Sequence, residues 1–264
     1  MSLQIFEKFV PVLTNLSPAQ LRNPCEVGSL QMFREPVGRR ELSMIYAPFD
    51  HVNQDARIVI VGMTPGRFQA VNALIAAYEE LRSGSSTSEA ARIAKVHASF
   101  SGEPMRGNLV AMLDAIGVAG WLGVDSTARL WADKSHLVHF TSALRYPVFV
   151  DGKNWSGTPD MLRTSVLCTT LEDYTGKELA RLNNALIVPL GPKVSAAMLH
   201  LAAIGLIDAE RVLAGLPHPS GANAERIAYF LGKKMAAQCS PKTNPASIDA
   251  AKSELLKRVQ QLSS

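Results

Sequence analysis

A histidine between two prolines is the side chain best placed for chemistry in this sequence. His218 lies in the segment Leu-Pro-His-Pro-Ser-Gly-Ala-Asn, residues 216–223. In a dry site, an imidazole can donate a hydrogen bond to negative charge that develops during a reaction. Ser220, Gly221 and Asn223 are expected to open a helix, whose free backbone N–H groups favour a phosphate. This setting favours a functional His218 over a structural histidine.

A glycine-rich turn, Gly-Met-Thr-Pro-Gly at residues 62–66, follows a run of β-branched residues. Gly62 and Gly66 carry no Cβ, so the backbone there can approach a ligand closely. Pro65 stiffens the turn. The alternative is an ordinary strand-to-helix turn, because such turns commonly contain glycine.

The elements that must position these two segments alternate between strand and helix. Continuous β-branched runs predict buried strands, and a period of 3.6 residues predicts helices. The predicted strands are 42–49, 56–62, 136–148, 184–191 and a short one within 209–216. The predicted helices are 1–23, 69–82, 87–98, 108–117, 158–184, 192–205, one that starts near residue 223, and 246–262.

This alternation indicates an α/β fold, with three α/β/α layers around a central, mostly parallel sheet. Ligands of such sheets bind beyond the carboxyl ends of the strands. The loops expected around one crevice are therefore 62–68, 141–146, 191–193 and 217–223.

Composition and segment lengths narrow the class of protein. The chain has 264 residues, of which 47% are hydrophobic, enough for a sizeable core. Its three cysteines lie far apart without a Cys-x-x-Cys pair, so no metal site, disulfide framework or cofactor is expected. No signal peptide is recognisable, and no run reaches the roughly 20 apolar residues of a membrane span. The sequence thus predicts a cytoplasmic protein without a membrane partner.

Positive charge is concentrated near the C-terminus. Residues 221–264 hold seven Lys/Arg against three Asp/Glu, a balance equal to the +4 of the whole chain. A basic segment suits a polyanion such as nucleic acid. A solvated helical face is the alternative.

Taken together, these motifs resemble those of the uracil-DNA glycosylase superfamily. Gly-Met-Thr-Pro-Gly is similar to its first motif, Gly-x-(Asp/Asn)-Pro or Gly-Glu-x-Pro-Gly. His-Pro-Ser-Gly-Ala-Asn is similar to its second, His-Pro-Ser or Asn-Pro-Ser-Gly-Leu-Asn. Residues 107–118, 141–147 and 187–198 resemble intervening landmarks in the same order. The resemblance covers about residues 45–235 of a single domain, 1–264, with a helical insertion at 69–106 and a basic helical extension at 240–264.

The resemblance implies a monofunctional DNA glycosylase that acts as a monomer on DNA. Such an enzyme flips a nucleotide out of the duplex and hydrolyses its N-glycosidic bond. His218 would stabilise negative charge on the departing base, and a water would attack the sugar from its other face. The expected product is an abasic site.

Departures from the family pattern concern the water and the base. Where several branches carry Asp or Asn to position the water, this chain has Thr64, and the neighbouring position, acidic in another branch, is Met63. Ser142 replaces an Asn that reads uracil, and Ala222 stands at the wedge position. Asp50 is a candidate general base, with an acid on a surface turn as the alternative.

Small residues at positions 64 and 142 predict a roomy pocket, suited to a bulky modified pyrimidine. Such a base, possible in a hypermodified virus genome, would make the protein a defence enzyme; excision of uracil in repair is the alternative. Phe68, Phe100 and Met105 are candidate stacking walls, and core packing is their alternative role.

The remaining candidates contact the base or the DNA backbone. Asn108 would touch the flipped nucleotide, with a helix cap as the alternative; Gly62 and Met63 would also face the base. The predicted DNA-contacting residues are Gly66, Arg145, Lys193, Ser220, Gly221, Ala222, Asn223 and Arg226. Two other classes stay open, a catalytically silent DNA-binding module of the same fold and an unrelated small-molecule α/β hydrolase. The absence of a Gly-x-Ser-x-Gly elbow argues against the common serine hydrolase.

Overall fold

The computed structural model describes residues 3–99 and 103–262 of the chain. The chain forms two compact units, each assembled from three segments. Unit 1 comprises Met1–Val52, Gly62–Ser99 and Phe140–Arg181, and unit 2 comprises Asn53–Val61, Phe100–His139 and Leu182–Ser264. The organisation as one domain over residues 1–264 stays a prediction.

The strands belong to two sheets. In the described ranges they are β1 (Gln31–Val37), β2 (Arg40–Ile45), β3 (Ile58–Gly62), β4 (Val138–Ser142), β5 (Val148–Val150), β6 (Lys153–Asn154) and β7 (Leu186–Pro189). One sheet has the order β4-β3-β7 and the other β1-β2-β5-β6.

The three-stranded sheet is parallel, as the sequence predicts. Every residue of β3, β4 and β7 is buried. Burial on both faces explains the uninterrupted apolar sequences of β3 and β7, whereas β4 also buries the polar residues His139, Thr141 and Ser142. β3 pairs with β7 from Ile58 opposite Leu186 to Val61 opposite Pro189. The α/β class is therefore confirmed.

The four-stranded sheet of unit 1 is antiparallel and was not predicted as a sheet. The sequence indicates a strand at 42–49, whereas β2 occupies Arg40–Ile45 and pairs with β1 and β5. β1 escapes prediction because it contains Pro36 and charged residues among its apolar ones. As an edge strand it tolerates both, since only one side needs backbone partners.

The helices follow the predicted periodicity with altered ends. In the described ranges they are α1 (Gln4–Thr14), α2 (Pro18–Arg22), α3 (Arg67–Arg82), α4 (Thr87–Ala98), α5 (Met105–Ala115), α6 (Val118–Leu122), α7 (Ser165–Thr170), α8 (Lys177–Leu179), α9 (Pro192–Ala203), α10 (Ala224–Phe230) and α11 (Pro245–Leu262). A π-helical segment, Leu171–Gly176, joins α7 to α8. No helix in these ranges is both long enough and apolar enough to cross a bilayer.

Two element predictions are wrong. The helix predicted over 1–23 divides into α1 and α2, because Ser17 caps a new helix with Pro18 in its first turn. The short strand predicted within 209–216 is a single parallel bridge between Val212 and Ile187, preceded by the 3₁₀ turn Ala209–Arg211.

Unit 1 contains a buried ionic network around Glu178. The Lys95 Nζ lies 3.2 Å from Glu178 Oε1, and an Arg145 guanidinium nitrogen lies 2.5 Å from Oε2. Lys95 also donates to the His51 carbonyl at 2.7 Å, and Arg145 to the Tyr174 carbonyl at 2.6 Å. Burial lowers the pKa of Lys95, an effect that the Glu178 carboxylate opposes.

A second carboxylate, Asp50, completes this network. It is fully buried and accepts hydrogen bonds from the hydroxyls of Tyr46 at 2.9 Å and Tyr146 at 2.5 Å. Burial raises the pKa of Asp50, while the hydrogen bond from Tyr146 and the charge of Arg145 lower it. The interior of unit 1 thus contains two basic side chains, Lys95 and Arg145, and two acidic ones, Glu178 and Asp50. The numbers of positive and negative groups are equal.

Replacing Glu178 with Gln should lower the free energy of unfolding by about 3–5 kcal/mol, because two buried cations lose a shared counter-charge. Urea unfolding followed by circular dichroism measures the change. Glu89→Gln is the matched control, since it removes an exposed pair with Arg92 and should cost much less. Equal losses in the two variants would contradict the role given to Glu178.

Candidate functional site

The His218 imidazole in unit 2 is held in one tautomer. The backbone N–H of Ser220 donates to its Nδ1 at 3.2 Å. Because Nδ1 is an acceptor, the ring proton of the neutral imidazole resides on Nε2. Partial burial lowers the pKa of His218, which favours this neutral form near pH 7. Nε2 has no hydrogen-bond partner among the described residues, so its N–H is available to a ligand.

Gly191 and Asn108 support the loop that carries this histidine. Gly191 follows β7 with a φ of +89°, and a Cβ built on it would lie 3.1 Å from the His218 Cβ. Asn108 donates from Nδ2 to the Pro219 carbonyl at 2.9 Å. The alternative of a helix cap at Asn108 is wrong, because α5 begins earlier and Pro104 occupies its N-cap position. Both supports reduce the freedom of the imidazole.

The residues after His218 turn less regularly than predicted. Gly221–Asn223 form a 3₁₀ turn, and α10 begins at Ala224. Asn223 donates to the Ser220 hydroxyl at 3.2 Å and accepts from Arg226 at 2.7 Å. Arg226 also donates to the Lys242 carbonyl, so its guanidinium ties two segments of unit 2 together. Gly221 and Ala222 are exposed.

The basic C-terminal segment serves mainly as an internal brace of unit 2. Four of its seven cations bond to protein groups, as Arg226 does: Lys234 pairs with Glu225, Lys252 donates to the Phe230 carbonyl and Arg258 to the Val212 carbonyl. These contacts leave fewer cations for a polyanion than the sequence indicates.

In unit 1, the glycine turn is joined to the connection that follows β4. The carbonyls of Gly62 and Met63 accept from the backbone N–H groups of Ala143 and Leu144 at 2.8 and 3.0 Å. The Thr64 hydroxyl donates to the Tyr146 carbonyl at 3.0 Å. It also accepts from the Val148 N–H at 3.3 Å, which leaves one lone pair for a water.

The candidate stacking residues differ in exposure. Phe68 lies in the first turn of α3 and is 76% exposed, so it is not a core residue. Gly66 is the N-cap of α3, where a Cβ would lie 3.2 Å from Asn154 Nδ2. Met105, at the start of α5 in unit 2, is half-buried. Phe100 lies outside the described residues.

Two polar candidates of unit 1 are interior groups. Arg145 is 7% exposed and bound to Glu178 and Tyr174, so the structure gives it a structural role in place of a phosphate contact. Although burial opposes its charge, Glu178 raises the pKa of Arg145. Asp50 is fully buried, so the surface-turn alternative is wrong, and its carboxylate is held by two tyrosine hydroxyls.

Ser142 ends β4 and is 9% exposed, with its carbonyl accepting from Thr175 Oγ1 at 2.9 Å. Lys193 is exposed in the first turn of α9. That the loops after the strands surround one crevice stays a prediction.

Sequence reasoning missed the roles of Gly191 and Tyr146. For Gly191, the available signal was a Gly-Pro pair directly after a buried strand.

Comparison with known proteins identifies a bacterial relative. The described residues define a mixed α/β protein with a parallel sheet. The chain is 35% identical over 214 residues to "Uncharacterized protein YoxB" of Bacillus subtilis (strain 168), a match that covers 80% of this chain and 83% of that protein. The chain therefore belongs to the family of this Bacillus protein. No protein-family model matches the chain, and no solved structure matches it.

The His218 imidazole should titrate below the pKa of about 6.5 of an exposed histidine. Burial disfavours its cation, so the neutral ring persists to a lower pH than it would in a fully exposed imidazole. ¹⁵N NMR measures the pKa of His218 and shows which ring nitrogen is protonated. A His218 that is protonated at Nδ1 in its neutral form would contradict the hydrogen bond from Ser220.

Gly191→Ala should displace His218 and lower the free energy of unfolding by more than the roughly 1–3 kcal/mol that a strained φ costs. The added methyl group meets the His218 Cβ. Gly205→Ala is the matched control, because Gly205 has a φ of +79° and its added methyl group would have no other atom within 4 Å. Urea unfolding and the His218 ring shifts provide the measurements. Identical His218 shifts in both variants would contradict the proposed contact.

Proposed function

We propose that this protein is a monofunctional DNA glycosylase that acts as a monomer in the cytoplasm and hydrolyses an N-glycosidic bond to leave an abasic site. One observation carries the proposal. The neutral His218 imidazole is fixed through Nδ1 and presents an Nε2–H without a partner among the described residues. This is the kind of donor that an anionic leaving group requires.

Leaving-group stabilisation accounts for most of the proposed catalysis. As the bond between sugar and base breaks, the electron pair goes to the base and positive charge develops on the sugar. A donor that is already oriented stabilises the base anion without reorganising during the reaction. Gly191 and Asn108 supply this orientation for His218 through the contacts described above.

The attack by water places a smaller demand on the protein. A cationic sugar accepts a neutral water, whose proton is lost to solvent afterwards. The Thr64 hydroxyl, whose other bonds reach Tyr146 and Val148, keeps one lone pair, and its role in orienting a water stays a prediction. Asp50 is enclosed with its tyrosine partners, which makes it unsuitable as the base that removes the proton.

The proposed substrate is a modified pyrimidine, with uracil as the alternative. Ser142 is shorter than the asparagine that recognises uracil in the uracil-DNA glycosylase superfamily, which this sequence resembles. It therefore selects less strictly for uracil. A hypermodified base of a virus genome is compatible with this lower selectivity, and its excision would give the enzyme a role in antiviral defence.

A catalytically silent DNA-binding module is the second candidate function. This candidate is favoured because neither position 64 nor position 50 offers a carboxylate that could activate a water. Thr64 is hydrogen-bonded to backbone groups, and Asp50 is buried. The two candidates differ in one product, the abasic site.

Incubation with duplexes that carry uracil or a series of modified pyrimidines, followed by cleavage at abasic sites, tests the proposal. His218→Ala should reduce the excision rate by about 100- to 1,000-fold, the usual cost of one lost donor to a developing anion. His136→Ala is the matched control, since His136 is exposed.

Two results would count against the proposal. Full activity in His218→Ala would remove His218 from its role. DNA binding without abasic sites on any substrate would favour the silent module, and activity confined to uracil would remove the modified-base substrate.

A further inference from the structure

Unit 1 carries a surface that combines unpaired arginines with an exposed aromatic ring. The β1–β2 hairpin ends in a two-residue turn, Gly38 and Arg39, closed by the pair Val37 and Arg40. The side chains of Arg39 and Arg40 are exposed, and neither has a hydrogen bond or ion pair with another described residue. This tip differs from the C-terminal segment, whose cations are largely bound to the protein.

Hydrogen bonds connect this hairpin to the β5–β6 hairpin. The Glu41 N–H donates to Asp151 Oδ1 at 2.9 Å, and the Asp151 N–H donates to the Glu41 carbonyl at 2.9 Å. Lys153 follows two residues later in β6 and is exposed. The two hairpin tips therefore lie side by side, with Arg40 next to Glu41 in the chain.

The first turn of α3 adjoins the β5–β6 hairpin. The Arg67 guanidinium donates to the Gly152 carbonyl at 2.8 Å, and its backbone N–H donates to Asn154 Oδ1 at 3.0 Å. The guanidinium also lies over the Phe149 ring, 5.6 Å from its centroid. Arg67 is thereby fixed, and the next residue is Phe68, which is 76% exposed.

Charge over this surface is positive. Residues 34–41, 67 and 151–153 hold more Lys/Arg than Asp/Glu. Arg34 is the cation that pairs with Glu41, at 3.6 Å. An exposed aromatic beside unpaired cations is the combination with which proteins bind nucleic acid strands, since the ring stacks on a base and the cations meet phosphates.

We infer that Arg39, Arg40, Lys153 and Phe68 form a docking surface for a DNA strand, with Phe68 stacked on an unpaired base. The inference rests on the proposed function for the choice of DNA as the partner. It assigns backbone contacts to Arg39, Arg40 and Lys153, which are not among the DNA-contacting residues predicted from the sequence. The surface lies within unit 1, and its Phe68 is two residues beyond Gly66, the last residue of the glycine turn.

Fluorescence anisotropy with a labelled DNA oligonucleotide, single-stranded and in duplex, tests this surface over a range of salt concentrations. Each phosphate contact contributes about 0.7 to the salt slope on a single strand and about 0.9 on a duplex. The triple variant R39A/R40A/K153A should therefore reduce the slope by about 2–3. The matched control is K233A/K242A/K257A, which removes equal charge from exposed side chains of unit 2 and should leave the slope unchanged.

Phe68→Ala should weaken binding to the single strand by about 5- to 150-fold, the range for one stacked base. Phe68→Tyr should retain the affinity, and Leu199→Ala, which removes a 50% exposed side chain of α9, should not change it. Thermal unfolding checks that each variant is folded.

The possible failures are distinguishable. Equal slopes in the two triple variants, or full affinity in Phe68→Ala, would overturn the docking surface while leaving excision at His218 intact. Binding that depends on the hairpin tips without any abasic product would support the surface and overturn the proposed enzyme. A wild-type chain that does not bind DNA would overturn both.

Discussion

Glu178 is the group on which the interior of unit 1 depends, because it is the shared counter-charge of two buried cations. Lys95 comes from α4 and Arg145 from the connection between β4 and β5, so one carboxylate joins three segments distant in sequence. Arg145 is followed by Tyr146, whose hydroxyl reaches Asp50 and whose carbonyl accepts from Thr64. The glycine turn is thus connected, through Thr64, Tyr146 and Arg145, to the carboxylate of Glu178 that compensates the buried cations. A buried cation without a partner would cost several kcal/mol.

In unit 2 the corresponding constraint is steric. Gly191 leaves β7 at a positive φ and lies against His218, so the loop can approach the strand end only where no side chain intervenes. The Ser220 N–H then selects the tautomer of the imidazole, and Asn108 fixes the following carbonyl. Several weak contacts together produce one oriented donor. Orientation before the reaction is what makes a single hydrogen bond valuable in catalysis.

In the proposed glycosylase, His218 of unit 2 would donate to the leaving base. The proposed docking surface, Phe68 with the unpaired cations of two hairpins, lies in unit 1. Family membership with the Bacillus subtilis relative rests on 35% identity across most of both chains, and the proposal of function rests on the chemistry of His218. Arg145, Arg226 and Arg258 show why counting cations in a sequence overstates DNA contacts. Each of these long side chains bonds to a backbone carbonyl of its own unit.

The sequence by itself determined the parallel strands β3, β4 and β7, the helices α3, α4 and α9, and the loop that holds His218. Periodicity and β-branched runs are local signals, and buried parallel strands produce them strongly. Only the tertiary structure decided that Asp50 and Arg145 are interior, that Asn108 braces a loop, and that β1 belongs to an antiparallel sheet. The roles of Asp50, Arg145 and Asn108 depend on partners distant in the chain, as far as from Asn108 to Pro219. A charged side chain has the same local sequence whether it meets water or a buried counter-charge, so its role is decided when the chain packs.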